Sequence, residues 1–293
     1  MMPSPTAPVD RVLLSPADRR AGVIELIRGA RVRLSLSLFR CNDKEIFREL
    51  TAAVERGVDV EVLVTSRAKG GKKKLRKLWQ RLEATGATVY AYNDPVVKYH
   101  AKYAVADEGP ALVASLNLTR KCFAKTCDAV VLTYDPEVVH GLLQLTATDR
   151  DGIAPPATLS SRLILGPETA RRQFTELIRG ARSSILMIDP KLSDPDLMAL
   201  LDQRRAEGLH VHVHQDCRVG PYKAHGKIML IDGTHAVVGS LALTTLSIDF
   251  RREVAIRVTE PSAISDIQSL FTSIGVTAVE PGSVPATAGG ASC

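Results

Sequence analysis

The chain repeats itself, and that repetition limits the folds open to it more than any other feature. Glu25-Leu26-Ile27-Arg28-Gly29-Ala30-Arg31 returns unchanged as Glu176 to Arg182, 151 residues later. Further along, His100, Lys102 and Asp107 are matched by His225, Lys227 and Asp232, now 125 residues apart. At that second offset Ser115 meets Ser240, Thr119 meets Thr244 and Asp128 meets Glu253 without a gap. A self-similar chain of this length builds the same unit twice. The 26 residues by which the offsets differ correspond to about Gly71 to Pro95, an insertion that only the first copy carries.

The pattern inside a copy is that of an α/β unit. Ser15-Pro16-Ala17-Asp18 reads as a helix start, with Ser15 as cap, Pro16 at the first helical position and Asp18 at the capping-box position; Gly29 ends the helix. Val32, Leu34, Leu36 and Leu38 alternate with Arg33, Ser35 and Ser37, which predicts a strand with one buried face. A helix over about Asp43 to Arg56, a strand over Val58 to Thr65, a helix to about Thr85 and a strand over Ala87 to Tyr92 follow. Alternating strands and helices predict a mixed, mostly parallel sheet flanked by helices. The expected division is a first repeat over 9–148, a Pro/Gly/Ser-rich linker over 149–160, a second repeat over 161–279 and a flexible tail over 280–293.

Composition narrows the class of protein. The start lacks a basic segment followed by an apolar core and no apolar run is long enough for a bilayer, so a cytoplasmic protein, peripheral to the membrane at most, is expected. The five cysteines are odd in number and irregularly spaced, which fits reduced thiols better than a disulfide framework, and a Cys122/Cys127 zinc half-site lacks a second half. A net charge of +6 and a pI near 9.1 point to polyanionic partners without choosing among them. The most basic stretch, Lys69 to Lys77, lies in the insertion; it can follow a nucleic-acid backbone, lie on an anionic membrane, or be only a solvated helix start. It is not a nucleotide-binding phosphate loop, because Lys73 follows Gly71-Lys72 where Ser or Thr is needed and Ser66 stands where the first glycine belongs. His210, His212 and His214 alternate along one strand, but their counterparts Asp59, Glu61 and Leu63 mark a wet face rather than a metal site.

The repeated His-x-Lys pairs carry the chemistry. On a strand, residues i and i+2 share a face, so His100 points with Lys102 and His225 with Lys227. An imidazole beside an ammonium group suits an anionic electrophile: the lysine holds the anion while the histidine attacks it or moves a proton. Phosphate is the obvious candidate. Asp107 and Asp232 sit at an odd offset, on the other face or in the turn, where a structural duty is expected.

With these residues the pattern resembles the phospholipase D superfamily, whose repeats carry His-x-Lys, four residues, Asp, then a Gly/Ser-x-Asn segment. The match spans both halves and nearly the whole chain. The resemblance implies two α/β repeats packed about a pseudo-two-fold axis, with the histidines facing one another across the phosphorus and no metal or cofactor. It also implies a covalent phosphohistidine, placed by similarity on His100, with His225 as acid and base; the symmetry leaves these two roles interchangeable. Asp128 and Glu253 match the acidic residue that holds an imidazole in one tautomer. Ser115, Asn117 and Ser240 match phosphate-binding positions alongside Lys102 and Lys227. Two departures stand out: Ala114 replaces a glycine, and Ala242 replaces the second asparagine, leaving weaker expected support for Lys227 than for Lys102. The implied activity is a metal-independent phosphodiesterase or phosphatidyl transferase acting on a phospholipid, complete in a monomer. The alternatives are a nuclease of the same superfamily and, from another class, a noncatalytic phosphate-binding scaffold.

Overall fold

The computed structural model describes residues 9–67, 71–156 and 159–278. Lys69 of the basic stretch, residues 157 and 158 of the expected linker, Cys293 and the expected tail over 280–293 lie outside them.

The first half contains β1 (Asp10–Leu13), α1 (Pro16–Gly29), β2 (Arg33–Leu38), α2 (Lys44–Glu55), β3 (Asp59–Thr65), α3 (Lys72–Glu83) and β4 (Thr88–Tyr92). It continues through β5 (Lys98–Tyr99), β6 (Tyr103–Ala106), β7 (Ala111–Ala114), α4 (Arg120–Lys125), β8 (Thr126–Cys127), β9 (Val130–Thr133) and α5 (Pro136–Asp151). The second half contains β10 (Leu163–Gly166), α6 (Ala170–Gly180), β11 (Ser184–Ile188), α7 (Pro195–Ala206), β12 (His210–His214) and β13 (Arg218–Val219). It closes with β14 (Tyr222–Ala224), β15 (Lys227–Ile231), β16 (His235–Gly239), α8 (Thr245–Phe250), β17 (Arg251–Val258) and α9 (Pro261–Thr272).

The helix boundaries follow the capping chemistry. Ser15 Oγ accepts from the Asp18 N–H at 3.1 Å, and Asp43 and Asp194, equivalent in the two copies, cap α2 and α7. The same two caps take paired ion bonds from equivalent arginines: Arg20 Nη2 reaches Asp43 at 2.8 Å and Arg171 Nη2 reaches Asp194 at 2.8 Å. The duplicated sequence therefore repeats its helix-to-helix clamps as well as its helices.

Strand order is β1-β9-β7-β6-β2-β3-β4 in one sheet and β10-β17-β16-β15-β11-β12 in the other. The second order reproduces the first and stops at β12, the counterpart of β3, because α3 and β4 belong to the insertion. The α/β class and the two-repeat architecture are as the sequence implies, but the strand directions need correction. Along these two orders, among the described residues, only β2–β3, β3–β4 and β11–β12 are parallel, and the remaining neighbours are antiparallel. Helical crossovers enforce parallel pairing only along β2-α2-β3-α3-β4 and β11-α7-β12; tight turns such as those joining β6 to β7 and β15 to β16 reverse the chain instead.

Three apolar clusters fix the layers. One lies between the first sheet and α1, α2 and α3, and a second between the other sheet and α6 and α7. The third takes residues from both halves, including Val113, Val131, Val238 and Ile256 of the sheets, Leu142 of α5 and Phe271 of α9. Each sheet is thus covered on both faces. That is why Ser35 and Ser37, expected on a polar face of β2, are buried as completely as Leu34 and Leu36. It also corrects the linker: Asp149, Arg150 and Asp151 are helical, and buried Asp149 accepts from Arg252 Nε of β17 at 2.9 Å.

Candidate active site

The two histidines do not sit inside continuous strands, as their sequence surroundings imply, but in breaks. His100, Ala101 and Lys102 separate or border β5 and β6, and His225-Gly226 separates β14 from β15. At each break the short strand before it pairs with the other half. β5 pairs with the start of β17, Lys98 opposite Arg251 and Tyr99 opposite Arg252, and the His100 N–H donates to Arg252 O at 2.9 Å. Equivalently, β14 pairs with β8, Lys223 opposite Thr126 and Ala224 opposite Cys127, and the Gly226 N–H donates to Cys127 O at 2.7 Å. The residue after each partner strand pair is an acidic one, Glu253 or Asp128. Gly226 is required here: a Cβ would lie 2.9 Å from Cys127 O and 3.2 Å from Asp128 Cα, both backbone atoms.

These exchanges cross the site. Asp128, from the first repeat, holds His225 of the second, with Nδ1 2.9 and 3.1 Å from its two oxygens. Glu253, from the second repeat, has Oε1 2.9 Å from Nδ1 of His100 in the first. With Nδ1 occupied on each ring, Nε2 is the atom left for chemistry. Neither repeat holds its own histidine; each ring is held by a carboxylate of the other half.

The halves differ in how firmly they hold the rings. Asp128 is buried, accepts from Ser115 Oγ at 2.7 Å and Thr126 Oγ1 at 2.5 Å, and lies 3.9 Å from the buried Arg19 guanidinium. Burial raises its carboxyl, but His225, Thr126 and Ser115 hold it below the usual range. Glu253 is equally buried yet makes no well-aligned hydrogen bond; its near neighbours are His100 and, at 3.7 Å, Arg251. His100 also has Lys102 Nζ against its ring, 3.1 Å from Nδ1 and 3.3 Å from Nε2. Burial first, and then Lys102, push the His100 imidazole down to about 4. Burial likewise pushes Lys102 down to about 7, with Lys227 adding repulsion against the attraction of Glu253.

The serines are placed otherwise than the resemblance implies. The Ser115 hydroxyl is committed to Asp128 and to the Ala129 N–H, and Ser240 to both backbone groups of Val254. They brace the strands behind the carboxylates rather than offering free donors to a phosphate. Asn117 borders a small void with Lys102 and Phe39, its Oδ1 buried without a partner. Lys227 donates to its own His225 carbonyl, as Lys102 does to His100 O. The second half also carries Asp189, accepting from the Leu243 N–H at 2.7 Å; burial pushes its carboxyl up, partly offset by that bond and by Lys227, and its first-half counterpart is Leu38. Where Ala242 replaces an amide, a carboxylate beside Lys227 is thus added.

Asp107 and Asp232 lie away from this chemistry. Both adopt positive φ, 52° and 54°, and their carboxylates collect the N–H groups of Arg31, Val32 and Arg33 or of Arg182, Ser183 and Ser184. They fasten the turn after β6 or β15 to the start of β2 or β11.

His100 opens into a cleft of about 1090 Å³. Seven of its fifteen lining residues are Lys or Arg, and none of the described ones is Asp or Glu. The insertion helix α3 contributes Lys72, Arg76 and Trp79, while Arg40, Lys191 and Arg251 come from elsewhere in both halves. Arg40 and Lys191 are equivalent at the 151-residue offset, both just past the ends of β2 and β11. That match was a signal available in the sequence. Arg19 offered none, its counterpart being Ala170. His210, His212 and His214 lie on the edge strand β12, outside this cleft, with His214 Nε2 2.6 Å from Arg218 O. No helix among the described residues is long and apolar enough to cross a membrane.

Known proteins share this fold. A polyphosphate kinase from Porphyromonas gingivalis superposes on 96% of this chain with a TM-score of 0.76 at 20% identity. This chain spans about half of that kinase, 52% of its length. A phosphatidylserine synthase from Haemophilus influenzae Rd KW20 superposes on 92% of the chain, and 87% of its own, with a TM-score of 0.68 at 13% identity. These likenesses bear on the fold. No curated protein sequence matches the chain. A family model described as "Cardiolipin synthase, PLD-like domain" matches residues 23–148 and 205–274, one segment in each half and together about two thirds of the chain. The chain therefore belongs to the phospholipase D-like family that this model describes.

Proposed function

We propose that this protein cleaves or transfers phosphodiesters through a phosphohistidine on His100. The observation that carries the proposal is the crossed pairing, Asp128 with His225 and Glu253 with His100, which ties each ring through Nδ1 to the other half and leaves both Nε2 atoms for chemistry. The environment separates their roles. His100, held neutral by burial and Lys102, is the nucleophile. His225, held through Nδ1 by a carboxylate that itself has four partners, is the more firmly oriented ring and serves as the acid.

In the first step His100 Nε2 forms a bond to phosphorus, the bond to the leaving oxygen breaks, and His225 passes its proton to that oxygen. In the second, neutral His225 takes a proton from water or an alcohol as its oxygen attacks phosphorus and expels His100. Lys102 and Lys227 neutralise the nonbridging oxygens, and the Asn117 amide borders the same space. Both repeats are needed, and one chain supplies them.

A phospholipid head group and a nucleic-acid backbone both present the required diester. The family description fits the first; the lining of the cleft favours the second. The test is turnover of bis(p-nitrophenyl) phosphate, phosphatidylglycerol and single-stranded DNA by purified protein in EDTA. Wild type cleaves at least one of them and His100→Ala cleaves none; full activity of His100→Ala refutes the proposal.

A further inference from the structure

Outside the cleft, many arginines of this protein are paired, among them Arg20 with Asp43, Arg28 with Glu49 and Arg171 with Asp194. Inside it Arg40, Lys72, Arg76 and Lys191 make no ion pair among the described residues. Lys72, Lys73 and Lys74 also occupy the first turn of α3, which has no acidic residue and no side-chain cap. Cations at the positive end of a helix dipole are disfavoured by about 0.3–1 kcal/mol each. Lys191 shows the crowding directly, its ammonium pushed down by burial and by Lys227 and Arg251. The fold gains nothing from this arrangement, whereas a bound polyanion relieves all of it.

One phosphate is served by Lys102 and Lys227 alone. The additional cations extend from His100 along α3, which has no counterpart near His225, so the extra charge lies to one side of the scissile bond. Trp79, its Nε1–H held by Glu83 at 2.8 Å, places aromatic surface among them. Cations interleaved with an aromatic ring in a groove suit a single nucleic-acid strand, phosphates on the cations and a base on the ring.

We propose that the face of α3 bearing Lys72, Arg76 and Trp79, with Arg40 and Lys191, is a subsite for the phosphates that neighbour the scissile one in a single-stranded nucleic acid. The inference rests on the phosphodiesterase reading of His100 and His225 and adds what confers preference among diesters.

The test uses the full chain and its Lys72→Glu/Arg76→Glu variant. Turnover of bis(p-nitrophenyl) phosphate, which has one phosphate, is compared with that of single strands of two to twelve nucleotides. Binding of a labelled twelve-nucleotide strand is followed by fluorescence anisotropy across a salt series. In wild type kcat/KM climbs with strand length and then levels. In the variant the ratio of strand to bis(p-nitrophenyl) phosphate turnover falls roughly tenfold or more, and the salt slope of binding drops by about 1.4 for two lost phosphate contacts. Length-independent turnover, or an unchanged salt slope, overturns the subsite. So does a variant whose loss appears on phosphatidylglycerol vesicles and not on strands. If wild type turns over no diester, the reaction class fails, and anisotropy alone still decides whether α3 binds the strand.

Discussion

Replacing Lys102 with Met should make the protein more stable and inactive at once, and the gain should depend on pH in a definite way. Lys102 is 4% exposed, and its ammonium is pushed down to about 7 from the ordinary 10.5. Between those two values the unfolded chain holds a proton that the folded protein has released, so folding grows more favourable as pH rises through the window. Below pH 7 the whole penalty of the buried charge is present. At 1.36 kcal/mol per pH unit it is on the order of 5 kcal/mol. The substitution removes that penalty but also the bond from Nζ to His100 O, 2.6 Å long, worth about 1 kcal/mol. Urea unfolding at pH 6 should therefore find Lys102→Met more stable by roughly 4 kcal/mol, whereas near pH 10.5 the advantage should be gone. A stability difference that is the same at both pH values, or a variant less stable at pH 6, would show that Lys102 is not a strained cation and would undo the electrostatic argument for the site.

The same groups shape the rate. Because kcat/KM reports the free enzyme, it should rise as pH increases through about 4, where His100 loses its proton, and fall as pH increases through about 7, where Lys102 loses its charge; a profile flat from pH 6 to 9 contradicts the second limb. Gly226→Ala forces a Cβ against the Cys127 carbonyl and the Asp128 Cα, so it should destabilise by about 1–3 kcal/mol and slow turnover by loosening His225; calorimetry and steady-state rates matching wild type would show that the strand yields without harm.

Much of this fold was legible because the duplication exposes it. Residues that recur at fixed offsets are those whose surroundings recur: the Arg20–Asp43 and Arg171–Asp194 clamps, and the Asp107 and Asp232 anchors. Strand direction was not legible, since apolar periodicity records burial and not whether a turn or a helix returns the chain. The breaks at His100 and His225 were hidden because small and apolar residues surround them, and what interrupts each strand is a partner from the other repeat. For the same reason the sequence marks Asp128 and Glu253 as important without revealing that each serves the other half's histidine. Ser115 and Ser240 looked like phosphate donors because a hydroxyl's partner cannot be read from its position. Asp189 and Arg19 escaped notice because each lacks a counterpart, Leu38 and Ala170 standing in their places.

The crossed site and its division of labour are tested most directly by the site of covalent phosphorylation. His225→Ala, lacking the acid, should react with bis(p-nitrophenyl) phosphate, whose leaving group needs little protonation, and then stall because nothing activates water. Mass spectrometry of the acid-labile adduct should place the phosphoryl group on His100. A phosphoryl group on any other residue, or continued turnover without an adduct, would contradict the account.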